Sequence, residues 1–298
     1  MIIANPIYDV VFKRLMENER VAKFFIGTLL NETIESVEMK PQEFTYIDKL
    51  AGLSVFRLDF IAVIRTETGE TKKVLIEIQK AKSQIDLMRF RNYLAEQYKK
   101  KELVDNEKVA LPITTIYILG FNLPEIESAC IFVERQYRDL INQITLTQKS
   151  DFVEKLTHDS YVVQVNRITD RYQSRLDQLL SVFEQSNFID DNKVVKEFKH
   201  STETEDVKII TDILHHSGTN PTERKELEAE QEAWRTVNAM FEDKEKAFQK
   251  ALKKQQAELA EKNKAISEKN KAINEKDKAI SEKDKLIEEL LKKLKDKK

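Results

Sequence analysis

The stretch that decides the fold is Phe56-Arg57-Leu58-Asp59-Phe60-Ile61-Ala62-Val63, followed after a turn by Val74-Leu75-Ile76-Glu77-Ile78-Gln79-Lys80. Both segments are rich in β-branched and aromatic residues, and Thr68-Gly69 between them is typical of a tight turn. The sequence therefore predicts a β-hairpin, with one strand over residues 55–64 and the returning strand over residues 73–79.

The segments around this hairpin carry both helical and strand patterns. Upstream, Asn5-Pro6 is typical of a helix start, and a second helix is predicted near residues 21–29. Downstream, the pattern predicts a helix over residues 84–98 and strands over residues 113–119 and 129–133. The expected fold class is α/β (α+β), with a central sheet flanked by helices.

The breaker residues divide the chain unevenly, because all five glycines and all five prolines lie at or before Pro221. We expect a core of residues 1–146, a mainly helical accessory region of residues 147–219 and a long charged helix of residues 220–298. Asn220 is the predicted cap of that last helix, with Pro221 as its first residue.

Composition limits the class of protein. Of the 298 residues 41% are hydrophobic, which is enough for a substantial core. No stretch approaches the roughly 20 apolar residues needed to span a bilayer, and the N-terminus resembles no secretory leader, so a cytoplasmic protein without a membrane partner is expected. The single cysteine excludes disulfides and thiolate zinc sites within one chain.

Charge is also distributed unevenly along the chain. Residues 251–298 hold 15 lysines against 10 acidic residues, a net charge of +5, so the other 250 residues carry −7 of the chain's total of −2. Such an acidic body argues against indiscriminate coating of nucleic acid, although a local basic region at a cleft would still bind phosphate.

Two carboxylates interrupt the apolar strands of the hairpin. Alternate residues of a strand share a face, so Glu77 lies with Gln79, and Asp59 lies with Arg57. An ionised carboxylate in apolar surroundings needs a cation, a paired base or hydrogen bonds. A Mg²⁺ or Mn²⁺ ion between Asp59 and Glu77 would meet that need and would suit phosphodiester hydrolysis. Ion pairing with Arg57 or Lys73 is the alternative.

The order of these motifs resembles a known family. It comprises a helix with Tyr8-Asp9-Val10-Val11-Phe12-Lys13, a strand with Asp59, the strand Ile76-Glu77-Ile78-Gln79 and a helix with Arg89 and Tyr93. Over roughly residues 1–135 this pattern is similar to the PD-(D/E)XK nuclease family transposases, also called recombination-promoting nucleases. The resemblance implies a restriction-endonuclease-like central mixed sheet, with Asp59 and Glu77 binding Mg²⁺, and DNA as the partner.

The residue at position 79 departs from the general motif. Gln79 stands where the superfamily has lysine, a variant that the resembled branch often shows. A neutral amide can orient a water or a phosphate, but it supplies no positive charge and is no useful acid or base near neutral pH. Lys80 should point to the opposite face unless a strand end or bulge re-aims it.

Two helical pairs are auxiliary candidates. Asp9 and Lys13 are one turn apart, which suits an auxiliary acid and a phosphate contact, or equally a surface ion pair. Arg89 and Tyr93 have the same spacing, which suits phosphate binding and substrate positioning, or a packed tyrosine beside a surface arginine.

The C-terminal segment repeats every seven residues from Glu261 onwards. One heptad position, which we label a, is apolar, and the matching d position holds lysine in four successive repeats. The a residues are Leu252, Leu259, Ile266, Ile273, Ile280, Ile287 and Leu294, and the d lysines are Lys262, Lys269, Lys276 and Lys283. Self-association into a homo-oligomer, a solvated rod and nucleic-acid contact all remain open.

Together these patterns predict a metal-dependent DNA endonuclease acting in recombination, mobile-element activity or defence. The alternative is a catalytically inactive nuclease fold that serves as a DNA-binding or assembly module, oligomerised by its coiled coil. No Ser/His/Asp arrangement, phosphate-binding glycine loop or zinc spacing in the sequence competes with this site.

Overall fold

A computed structural model describes residues 1–40, 44–48, 53–57, 60–80 and 84–295. The chain divides into two compact units, Met1–Trp234 and Arg235–Lys298. The first unit contains the candidate site, and the second contains the heptad repeats.

The described residues form short and long elements of both kinds. The strands are β1 (Ile2–Ala4), β2 (Ile34–Lys40), β3 (Phe44–Asp48), β4 (Leu53–Arg57), β5 (Phe60–Thr66), β6 (Thr71–Gln79), β7 (Glu102–Val104), β8 (Glu107–Val109), β9 (Ile113–Leu119), β10 (Cys130–Val133), β11 (Tyr137–Asp139), β12 (Ile144–Leu146), β13 (His158–Gln164) and β14 (Val195–Glu197). The α-helices are α1 (Asp9–Glu17), α2 (Glu19–Leu30), α3 (Gln84–Lys99), α4 (Asp151–Glu154), α5 (Arg175–Ser181), α6 (Glu205–Thr219) and α7 (Pro221–Lys295), and a 3₁₀ turn covers Val165–Arg167. None of these helices combines the length with the apolar character that a bilayer crossing requires.

A six-stranded mixed sheet forms the centre of the first unit, in the order β10-β13-β9-β6-β5-β2. The strands β6, β9 and β13 run parallel, whereas β2 and β5 on one side and β10 on the other pair antiparallel with their neighbours. The predicted α/β class, a mixed sheet flanked by helices, is confirmed.

The central hairpin forms, but its first strand starts later than the sequence pattern predicts: residues 53–57 form β4, which pairs with β3 in a separate sheet, and the hairpin strand β5 begins at Phe60. Strands β5 and β6 pair from Phe60↔Ile76 to Arg65↔Thr71, and the backbone N–H of Gly69 donates to the carbonyl of Thr66 in the turn. Gly69 has a φ of 84°, a left-handed conformation that costs glycine little and most other residues more. This turn fixes the register and hence the face on which each side chain of β6 lies.

The two faces of the sheet are covered by different helices. On one face Val74, Ile76 and Ile78 join a large core to which α1, α2, α5 and α6 contribute, and there Phe12 lies edge-on to Phe60 with the ring centroids 4.8 Å apart. On the other face a smaller core forms under α3; its buried members are Ile61, Leu75, Phe90, Tyr93 and Ile113. Odd-numbered residues of β6, including Glu77, therefore lie on the α3 side.

The predicted start of α7 is correct, whereas the predicted start of α1 is wrong. Helix α7 begins at Pro221, and the Asn220 side chain accepts hydrogen bonds from the backbone N–H groups of Thr222 (2.9 Å) and Glu223 (3.2 Å), as predicted. Pro6, in contrast, is not the first residue of α1, which begins at Asp9. The buried Asn5 side chain instead bonds Gln185 and the carbonyl of Lys193, so tertiary contacts replace the expected cap.

Residues 147–219 are less purely helical than their sequence predicts. They include β13, which lies between β9 and β10 in the central sheet, and β14, which pairs with β1 near the N-terminus. They belong to the same compact unit as residues 1–146. His215 and His216 lie near the end of α6, and the His215 Nδ1 lies 2.6 Å from the carbonyl oxygen of Ile2.

A buried lysine on β14 makes the stability of this unit depend on pH. Lys196 is 2% exposed, and its Nζ donates to the backbone carbonyls of Glu184 and Ser181. Burial lowers the pKa of Lys196 from 10.5 to about 7, although the negative charge of Glu184 opposes this shift.

We expect the free energy of unfolding to rise with pH between about 7 and 9 because of Lys196. The unfolded chain keeps this proton up to about pH 10.5, whereas the folded chain releases it near pH 7, so the slope approaches about 1.4 kcal/mol per pH unit. Urea unfolding of wild type and Lys196→Met across this range isolates the contribution, because the variant lacks the titrating group. Equal slopes in both proteins would contradict the prediction.

Candidate functional site

Glu77 is a carboxylate buried in the middle of the central sheet. It lies on β6, which is hydrogen-bonded to β5 on one side and to β9 on the other, and it is 2% exposed. Gln79 follows two residues later on the same face and is half-buried at the end of the strand. Glu77 and Gln79 therefore lie on the same face of the strand, as the sequence predicts.

Tyr117 is the neighbour of Glu77 on the adjacent strand. The two residues are register partners in the parallel pair β6–β9. Burial raises the pKa of Tyr117 to about 12, a hydrogen bond with Thr115 opposes this shift, and the charge of Glu77 adds to it. The phenol therefore stays protonated near neutral pH and remains a hydrogen-bond donor on this face.

Asp59, the predicted second carboxylate, lies outside the described residues. Its neighbour in the sequence, Phe60, pairs with Ile76, which immediately precedes Glu77. Among the residues that the structure describes, no group of three or more His, Cys, Asp or Glu side chains could hold a metal ion. The described oxygen donors at the site are those of Glu77 and Gln79, which are of the hard type that Mg²⁺ and Mn²⁺ prefer.

Lys73 was one of two predicted ion-pair partners for the strand carboxylates, and it binds elsewhere. It is 1% exposed, its Nζ lies 2.6 Å from a carboxylate oxygen of Glu102, and it also donates to Gln97 at 3.4 Å. The side chain of Arg57, the other predicted partner, is outside the described part of the chain.

The helix after the motif contributes to packing on the Glu77 face. Tyr93 is 2% exposed in the small core under α3, with its ring centroid 6.5 Å from that of Phe90. This burial favours a packed tyrosine over a residue that positions substrate. The backbone of Arg89 is helical, and its side chain is outside the described part of the chain.

Lys80 lies on the opposite face of the sheet, as its place next to Gln79 predicts. Its side chain is 9% exposed, and its ammonium group contacts the carboxylate of Glu230 in α7. The Nζ also lies 4.3 Å from the centroid of the Tyr8 ring and 4.9 Å from that of Trp234. These are cation–π distances, so Lys80 is held between two aromatic rings and a carboxylate.

The same carboxylate caps the first helix. Glu230 accepts the backbone N–H of Asp9 at 3.0 Å and that of Val10 at 3.1 Å. An acidic group is stabilising at a helix N-terminus, and the Tyr8 position supplies no side-chain cap of its own. Asp9 is half-buried at this start of α1, whereas Lys13, one turn later, is exposed.

Sequence reasoning did not find Glu230 or Trp234 as parts of this arrangement. Glu230 is 150 residues from Lys80 along the chain, and it lies among many other charged residues of α7, so the sequence does not distinguish it from them. The sequence does contain one signal for packing in this part of the chain, because aromatic residues recur every seven positions at Trp234, Phe241 and Phe248.

A comparison with protein-family models, with curated proteins and with solved structures finds no match to this chain.

Proposed function

We propose that this protein is a metal-dependent DNA endonuclease that hydrolyses phosphodiester bonds. The observation that carries the proposal is Glu77, a carboxylate 2% exposed at the centre of a mixed sheet, with Gln79 on the same face at the strand end. Buried acids of this kind concentrate at active sites.

In this proposal Asp59 and Glu77 hold Mg²⁺ or Mn²⁺. Their carboxylates supply the hard oxygen ligands that these ions prefer. When bound, the metal would lower the pKa of a coordinated water and stabilise charge on the scissile phosphate. The connectivity supports this pairing, because Phe60 and Ile76 are register partners and each is next in sequence to one of the two acids.

Gln79 and Tyr117 would act on the same side of the sheet as neutral groups. The Gln79 amide can donate to a phosphate oxygen or accept from the attacking water. The Tyr117 phenol, protonated near neutral pH, can donate a hydrogen bond to the carboxylate or to substrate. Neither residue supplies positive charge, so the proposal assigns charge neutralisation at the phosphate to the metal ion.

The test is cleavage of supercoiled and linear DNA by the purified full-length chain with Mg²⁺, Mn²⁺ or EDTA. We expect nicking with either metal and none with EDTA, and loss of nicking in Asp59→Ala. The exposed Glu107→Ala variant serves as a control for the loss of a carboxylate away from the site. Cleavage by Asp59→Ala at the wild-type rate would remove Asp59 from the site.

A second candidate function is that of a DNA-binding or assembly module, in which the nuclease fold is retained but catalytic activity has been lost. The contacts of Lys80 favour it, because the basic side chain nearest Gln79 in sequence is bound to Glu230. The exposed heptad positions of α7 give such a module a means of forming a homo-oligomer. Wild type that binds DNA and leaves it intact with every metal would favour this function over hydrolysis.

The proposed setting is the cytoplasm, in recombination, mobile-element activity or defence against foreign DNA. An endonuclease of this class would need to act on DNA selectively, and the −7 charge of residues 1–250 is consistent with weak non-specific binding.

A further inference from the structure

The second unit carries a row of exposed apolar side chains along α7. One large apolar residue recurs at every seventh position, and each is between 36% and 59% exposed. The members of this row are Leu252, Leu259, Ile266, Ile273, Ile280 and Ile287. An apolar residue at every seventh position is the pattern by which one helix packs against another in a coiled coil.

The lysines at the d positions decide how a second helix can pack. In a parallel pair in register, each d residue meets the same residue of the other helix, which would place like charges together in four successive layers. Those layers would contain Lys262, Lys269, Lys276 and Lys283. In an antiparallel pair, an a residue meets a d residue, so each lysine stem would lie against an isoleucine and its ammonium group would reach water.

The net charge of the repeats also changes along the helix. It is +1 for residues 261–267, +1 for residues 268–274, zero for residues 275–281 and −1 for residues 282–288. A parallel pair in register sets +1 against +1 and −1 against −1. An antiparallel pair about the centre of this block sets +1 against −1 and +1 against zero, so charge complementarity favours it.

We propose that the heptad segment of α7 pairs with the same segment of a second copy of this chain in the antiparallel direction. In the register that aligns residue 261 of one copy with residue 288 of the other, every central layer joins an isoleucine to a lysine. The layers are Ile266 with Lys283, Ile273 with Lys276, Ile280 with Lys269 and Ile287 with Lys262.

The acidic e positions strengthen this register. Asp277 and Asp284 replace the asparagines found in the first two repeats. In the antiparallel register their axial positions are within about one turn of Lys269 and Lys262 of the second copy. Charges that flank the apolar row in this way help to set partner choice and orientation in coiled coils.

Disulfide formation between single-cysteine variants tests the direction of pairing. In full-length chains with Cys130→Ser, we expect an equimolar mixture of Ile266→Cys and Lys283→Cys to form a covalent dimer under mild oxidation. Either variant alone should cross-link at least about tenfold less. In a dimer of one variant, the cysteines of the two copies would be separated along the axis by 17 residues of helix, about 25 Å, which is beyond disulfide reach. Efficient cross-linking of Lys283→Cys alone would show a parallel pair and overturn the proposal.

Sedimentation equilibrium tests whether the chains pair at all, and it uses chains that carry no introduced cysteine. We expect Asp277→Lys with Asp284→Lys to weaken the dimer by about tenfold or more, because attractive contacts become repulsive. The control is Glu275→Lys with Glu282→Lys, which makes the same charge change in the same repeats at the c positions, away from the interface. Wild type that stays monomeric at every concentration, or equal effects of both double variants, would overturn the proposal. These readouts do not depend on nuclease activity.

Discussion

Glu77→Gln is expected to lower metal-dependent DNA cleavage by at least about a hundredfold, because one metal-binding carboxylate is lost and each 1.4 kcal/mol of transition-state stabilisation corresponds to a tenfold change in rate. The substitution keeps the size of the side chain, which is 2% exposed in a packed sheet, and replaces one of its two acceptor oxygens with an N–H donor group. The measurement is the initial rate of nicking of supercoiled DNA with saturating Mg²⁺ or Mn²⁺.

The stability of the same variant separates a chemical effect from a folding effect. With Mn²⁺ the wild-type melting temperature should rise and that of the variant should not, since a ligand that binds only the folded state stabilises it. Cleavage by Glu77→Gln at the wild-type rate would disprove the catalytic assignment.

The part of the fold that sequence predicted well is the part in which local pattern and tertiary environment agree. Strand alternation placed Glu77 and Gln79 on one face and Lys80 on the other, and the glycine turn fixed the hairpin register. The cap at Asn220 was predictable because it depends on neighbouring residues alone.

The predictions that failed or stayed incomplete depend on residues distant in sequence. Pro6 is a good first helical residue by local rules, yet Asn5 bonds Gln185 and Lys193, so α1 begins three residues later. Strand β13 pairs parallel with β9, and nothing in its local sequence pattern indicates that pairing.

Glu230→Gln is expected to lower the free energy of unfolding by about 3 kcal/mol, the lower end of what breaking a buried ion pair costs. Lys80 and Glu230 are 9% and 14% exposed at their side chains, so water screens their interaction weakly. The same carboxylate oxygens accept two backbone N–H groups at the start of α1, and an amide retains only one acceptor oxygen for them. Urea unfolding measures the loss.

The matched control is four residues away on the same helix. Glu226 pairs with Arg14 of α1 at 2.9 Å, but their side chains are 53% and 31% exposed. Because exposed ion pairs contribute little, Glu226→Gln should cost less than about 1 kcal/mol. A double-mutant cycle with Lys80→Met then gives the coupling between Lys80 and Glu230, and a coupling near zero would contradict the assigned pair.

In the proposed nuclease, Glu230 would oppose a contact between Lys80 and DNA. While its carboxylate binds the Lys80 ammonium, it neutralises that charge and would repel a phosphate at the same place. If Lys80 contacts a phosphate, the Glu230→Gln variant should bind DNA more tightly than wild type. The slope of its log affinity against log salt concentration should also be steeper, by the equivalent of about one released counterion. The added Lys80→Met substitution should reverse both changes. Unchanged binding in Glu230→Gln would instead assign the pair a purely structural role, which is to hold the start of α7 against the end of β6 and the first turn of α1.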